Sequence, residues 1–211
     1  MFGRKKYVNL FREIQLPHYL TEKEDEVKNK ITGYSDSVLA NLDKEREIEN
    51  LVDDLDLEVP SLLKEQTKSS IIIEEMSGQQ LPAGTEFVMG RRYNIEVANY
   101  TIPFKGNKDF FKCVPSKTYG FKPLEVEIKD NTMVVKLTNW LGGISGNDKV
   151  IESLKNELKN YVSAIEDVLE LHQNDIVEYV PILKKKIDSV LQPLIEKVNI
   201  KNNSSDKLNP F

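Results

Sequence analysis

Leu124-Glu125-Val126-Glu127-Ile128-Lys129 alternates apolar and charged residues without a fault, and after Asp130-Asn131 the alternation resumes with Met133, Val135 and Leu137. Period-two patterning puts one face of a strand in a core and the other in water, and Asp-Asn can supply the positive φ of a tight turn. The stretch predicts an antiparallel hairpin whose Leu124/Val126/Ile128 face needs a cover. The chain after Asn147 offers one. Ile151, Leu154, Leu158, Ile165, Ile182, Leu183, Ile187, Val190, Leu191, Leu194 and Ile195 recur in the three-four rhythm of an amphipathic helix.

Upstream of the hairpin, Tyr93, Ile95 and Val97 alternate on odd numbers, whereas Tyr100 and Ile102 fall on even ones. This change of parity predicts a bulge near Ala98-Asn99. Ile71-Ile72-Ile73 predicts a β-branched strand buried on both faces, and Glu86–Met89 a weaker strand. Phe110-Phe111, read as adjacent strand residues, would point one ring inward. Pro115 closes that strand. Gly142-Gly143-Ile144-Ser145-Gly146 forms a glycine-rich crossover, and Asn147 or Asp148 caps the helix that follows.

The N-terminal third reads as helical. Val8, Phe11 and Ile14 are spaced three apart and predict a helix over Tyr7–Leu16 that Pro17 ends. Thr21-Glu22-Lys23-Glu24 fits a capping box for a helix carrying Val27, Ile31, Tyr34, Val38 and Leu42. Glu45–Leu55 predicts another, and Lys64–Ser70 a polar linker. In the tail, Gln173-Asn174-Asp175 predicts a break and Pro181 a restart, giving a helical hairpin. The expected class is therefore α+β. A small antiparallel sheet packs against long C-terminal helices, with an N-terminal helical arm over 1–66. Sheet and helical hairpin occupy 67–200, and 201–211 form a disordered tail.

Composition narrows the function. The 211 residues carry 29 basic and 34 acidic side chains, a net charge of −5, with both signs interspersed throughout. No basic block suggests autonomous nucleic-acid binding. No apolar run approaches the roughly 20 residues of a membrane span, and the start lacks the apolar core of a signal peptide. Cys113 is the single cysteine, which excludes an internal disulfide. The expected compartment is cytoplasmic.

No catalytic signature stands out, and neither a cofactor nor a metal site is expected. Glu127-Ile128-Lys129 has the Glu-x-Lys form of restriction-type nucleases, with Asp109 as a conceivable metal partner. On an alternating strand, though, these charges are what a wet face requires. The glycine crossover could cradle a phosphate on backbone amides but lacks the Gly-Lys-Ser/Thr ending of a P-loop. His18 and His172 have no second ligand at i+4. Asp53-Asp54-Leu55-Asp56-Leu57-Glu58 lacks the spacing of a calcium loop. Arg91, Arg92, Phe110 and Lys112, with Tyr119, could form a platform for single-stranded nucleic acid, though the aromatics fit a core as well.

Gly90-x2-Tyr93, Ile102-Pro103-Phe104-x-Gly106, Phe110/Phe111, Pro115-Ser116, Pro123 before the hairpin and a long helix ending near Asn174 together form a pattern. It resembles the N-terminal region of a group of uncharacterised bacterial proteins. Their C-terminal part resembles a PD-(D/E)xK restriction-endonuclease-like domain. The likeness covers about half the chain, departs at the Gly142–Gly146 crossover, and carries over no nuclease residues. It implies a non-catalytic module of a restriction- or anti-phage-defence-type system. Such a module is an accessory subunit acting beside an effector such as a nuclease or ATPase, or with a second copy of itself. Nucleic acid would be reached only through the complex, and no membrane is involved. The surface expected to make the assembly is the tail seam: Ile151, Leu154, Leu158, Ile165, Ile187 and Leu191. These stripes are expected to exceed what one small sheet can cover.

Overall fold

The computed structural model describes residues 7–82, 86, 88–117, 120, 122–140 and 142–208. It is mixed α and β, as expected: an antiparallel sheet covered on one face by a long C-terminal helix, with three short helices at the N-terminal side. In chain order the elements are β1 (Tyr7–Asn9), β2 (Ile14–Gln15), α1 (Leu16–Thr32), α2 (Asp36–Ala40), α3 (Lys44–Asp53), β3 (Ser61–Leu62), β4 (Lys68–Ser77), β5 (Arg92–Lys105), β6 (Cys113–Val114), β7 (Glu125–Lys129), β8 (Thr132–Thr138) and α4 (Asp148–Leu208).

Six strands form the main sheet in the order β1-β7-β8-β5-β3, with β4 also paired to β5. The β7–β8 hairpin turns where the sequence places it, at Asp130, whose φ of 45° is the left-handed value the turn requires. Val126, Met133, Val135 and Leu137 point to the helical side and are buried. The predicted bulge is absent. β5 pairs with β4 from Arg92 to Thr101 and with β8 from Val97 to Pro103 without a slip. The parity changes because β5 uses both faces: Ala98, Tyr100, Ile102 and Phe104 face α4, whereas Tyr93, Ile95 and Val97 lie on the far face beside Met76 and Ile72. Phe110 and Phe111 sit on a 3-10 turn over Lys108–Lys112, not on a strand, so both rings are buried.

The N-terminal segment departs from its predicted helix. Tyr7–Asn9 pairs with β7, and Ile14–Gln15 pairs in parallel with β6. Between them Phe11 takes a φ of 57° and buries its ring against Phe111 and His172. Pro17 then starts a helix instead of ending one, because the first turn needs no amide from it. Thr21 is thus interior, and its hydroxyl donates to the Pro17 carbonyl at 2.8 Å. Gly33 ends α1, Ser35 caps α2 by accepting from the Val38 amide, and Asp43 caps α3.

The largest correction concerns the tail. It is one helix of 61 residues, about 90 Å at 1.5 Å per residue, with no break at Gln173-Asn174-Asp175. Helix also continues through residues 201–208, where disorder was expected. His172 and Ile176 lie one turn apart and are both buried in the sheet core, so packing overrides the weak local propensity between them. Asp175 meanwhile accepts from the amide and hydroxyl of Ser116, fastening the segment after β6 to α4. Pro181 and Pro193 lie inside the helix on exposed positions.

Two apolar cores result. Val126, Val135, Phe104, Phe110 and Phe111 pack with Leu154, Val162, Ile165, Leu169 and Ile176 of α4. Val27, Ile31, Leu51 and Val52 of α1 and α3 pack with Leu183, Ile187, Leu191 and Val198. Leu57, Tyr179 and Val180 touch both cores. No helix among the described residues is long and apolar enough to cross a membrane.

Candidate functional site

The tail seam is spent inside the molecule. Leu154, Ile165, Ile187 and Leu191 are buried in the two cores, and Ile151 and Leu158 are half-buried against the first. The N-terminal helices supply the cover that the sheet alone could not, because the stripe of α1 and α3 faces that of α4. The seam is therefore not a free surface.

The uncovered apolar surface lies on the sheet instead. β4 is ten residues long and pairs on one side only; no strand among the described residues takes its other edge. Ile71-Ile72-Ile73 is consequently not a doubly buried strand: Ile73 is 70 % exposed and Ile71 45 % exposed. Register places Ile71 in one row with Ala98 and Leu137, facing α4. The helix does not extend over this edge. A groove of about 310 Å³ remains between them, lined by Ile71, Ala98, Tyr100, Ile144, Ile151 and Leu154. Native edges are usually blunted by proline, a bulge or an inward charge; Ile71–Ile73 carries none of these.

The glycine crossover builds the end of this groove. Glu96, opposite Ile73 on β5, accepts from the amides of Ile144 and Ser145 and from the Ser145 hydroxyl at 2.6 Å. These bonds, the hydroxyl first, hold the Glu96 carboxyl below the usual carboxylate range. A side chain at Gly143 would put its Cβ 3.2 Å from the Glu96 Oε2, so the close approach favours glycine there. The amides that could have cradled a phosphate are thus occupied by the chain's own carboxylate, and Ile144 is pinned as a buried floor. Asn147 caps α4 by accepting from the Val150 amide. Sequence reading misses Glu96, which looks like one more wet position in Asn94-Ile95-Glu96.

His172 is the second unread feature. It is fully buried against the rings of Phe11 and Phe110, at 5.6 and 5.7 Å, and neither nitrogen finds a hydrogen-bond partner. Burial depresses its pKa to about 4, with the Asp175 carboxylate pulling the other way. Cys113 is fully buried too, and burial pushes its thiol up to about 12, far from a reactive thiolate.

The remaining candidates are not brought together. Glu127 is buried on the far face of β7, ion-paired with Lys129 at 3.1 Å, while Asp109 pairs with Lys112 on the 3-10 turn. His18 is exposed on α1, away from the sealed position of His172. Among the described residues no group of three or more His, Cys, Asp or Glu is placed to hold a metal ion. Asp54 closes α3 and pairs with Lys30, as a wet helix end would. Of the nucleic-acid platform, Phe110 is core, Arg92 pairs with Glu75, Arg91 lies over the Tyr93 ring, and Tyr119 is outside the described residues.

No family model matches the chain, and neither does any curated protein or solved structure.

Proposed function

We propose that the chain is a non-enzymatic accessory subunit that works by binding protein at the open edge of β4. The observation that carries this reading is the ten-residue edge with Ile71 and Ile73 exposed beside the groove floored by Ile144. An unpaired edge offers a row of backbone donors and acceptors, and flanking pockets supply selectivity, which is how extended segments are recognised by strand addition. The sequence resemblance is the reason for setting this activity in a restriction- or anti-phage-defence-type complex, with a nuclease or ATPase effector as its working member.

The test compares the tagged wild type with an Ile71→Lys/Ile73→Lys double variant. Both positions are exposed, so the variant keeps its fold while placing charge at the edge. The wild type should hold a defined stoichiometric complex that the variant loses. The purified chain with Mg²⁺ or Mn²⁺ should leave single- and double-stranded DNA intact. Cleavage abolished by Glu127→Ala, or a complex indifferent to both lysines, would overturn the reading.

A further inference from the structure

The order of residues along β4 is complementary to itself. From this we infer that two copies of the chain join edge to edge through β4, antiparallel, with Ile72 opposite the Ile72 of the second copy. The inference rests on the reading above that the β4 edge binds protein, and adds which protein.

A two-fold axis normal to a sheet must set one residue of an edge strand opposite its own copy, and opposed residues share a face. Centring Lys68-Ser69-Ser70-Ile71-Ile72-Ile73-Glu74-Glu75-Met76-Ser77 on Ile72 sets Ile71 against Ile73 on both sides of the axis. Ser70 meets Glu74, Ser69 meets Glu75, and Lys68 meets Met76. Three adjacent isoleucine pairs form without a like-charge contact. Lys68, the one lysine of the strand, lies diagonally from the second copy's Glu74 on the same face, within reach of an ion pair.

Neighbouring registers do worse. Centring on Ile73 sets Ile71 against Glu75 and Ile72 against Glu74, burying carboxylates on isoleucine. Centring on Ile71 gains a direct Lys68–Glu74 pair but sets Ile72 and Ile73 against serines, leaving a single isoleucine pair. The favoured register also uses what the monomer leaves open. On the helical side, Ile71 and Ile73 of both copies make one apolar strip, bordered by the Ile151 and Leu154 of each groove. The two six-stranded sheets become one sheet with both α4 helices on the same side.

The experiment is a single-cysteine scan of the full chain under mild oxidation, read with light scattering. Cys113 is fully buried and does not compete. Ile72→Cys should give a disulfide-linked dimer, since opposed residues of an antiparallel pair lie about 4.5–5.5 Å apart at Cα. Ile71→Cys and Ile73→Cys should cross-link to each other in a mixture far better than either does alone, and Ser77→Cys should not cross-link. Without cysteines the wild type should scatter as a dimer, and Ile73→Lys should weaken dimerisation by at least about tenfold. A wild type that is monomeric at every concentration overturns the inference. If that monomer still holds another protein through the edge, the functional reading stands without it. A dimer whose strongest self-cross-link falls at Ile71 or Ile73 overturns the register. A dimer unchanged by Ile73→Lys places the interface elsewhere and overturns the inference.

Discussion

The two halves of α4 bury the same kind of stripe against different materials. Up to Ile176 the helix lies on a sheet, and its core is dense with rings: Phe104, Phe110, Phe111, Tyr100 and the imidazole of His172. From Leu183 onward it lies on α1–α3, where the fully enclosed residues are leucine, isoleucine and valine. The margins of this second core are ion pairs such as Lys184–Glu49, Lys44–Asp188 and Lys201–Asp36. Ion pairs at such a solvated margin are screened by water and salt and add little, so the arm depends on its aliphatic packing. One helix thus ties two cores of different chemistry into one body. Apart from Ile151 and Leu154 at the groove and the exposed Ile182, neither half leaves its seam free for another protein.

The largest expected effect comes from truncating each core in turn. Ile165→Ala and Leu191→Ala both remove a fully buried side chain, and each should cost roughly 2–5 kcal/mol in urea unfolding. Because Leu57, Tyr179 and Val180 touch both cores, each variant should lower a single transition seen alike by near- and far-ultraviolet dichroism. Separate transitions would break the comparison into two independent domains.

Next in size is a pH effect confined to the sheet half. His172 is neutral in the native state with its pKa near 4, whereas in the unfolded chain it titrates near 6.5. The unfolded state binds more protons between these values, so stability falls as pH drops through 6.5 and levels below 4. The loss is roughly 3 kcal/mol by pH 4, with no contribution above pH 7. Glu96 and Asp36, whose carboxyls are held low, act only at the acid end of that window. The His172→Phe variant should show a flatter unfolding midpoint between pH 7 and 5 than the wild type. An equal slope would show that the acid sensitivity lies elsewhere.

A smaller effect is expected where the halves meet. Pro181 supplies no amide to the Val177 carbonyl, and its position is exposed. Pro181→Ala should therefore raise stability by roughly 1–3 kcal/mol and slow amide exchange around Val177. Unchanged stability would mean that the surrounding packing already offsets the missing bond.

These features differ in how plainly the sequence announces them. The β7–β8 hairpin is legible because alternation has one structural meaning and Asp130-Asn131 marks the turn. The seam of α4 is legible as a buried face, but periodicity says nothing about what covers it. From Leu183 onward its cover comes from helices more than a hundred residues away. Ile71-Ile72-Ile73 is ambiguous in a deeper sense: the same β-branched run suits a central strand and an edge, and only the strand order separates them. Pro17 can stop one helix or start another, and spacing of three at Val8, Phe11 and Ile14 fits a helix until Phe11 adopts a left-handed φ. Glu96 and His172 carry no local signal, because their roles are set by partners at Ser145 and at Phe11 and Phe110.

Hydrogen exchange followed over a dilution series tests the contrast between spent seam and open edge most directly. The outward-facing amides of Lys68–Ser77, those not bonded to β5, should be protected at high concentration and lose that protection on dilution, while the protection of Leu154–Leu191 stays the same throughout. Protection of α4 that rises and falls with concentration, over a β4 whose exchange never changes, would contradict the account and return the interface to the helix.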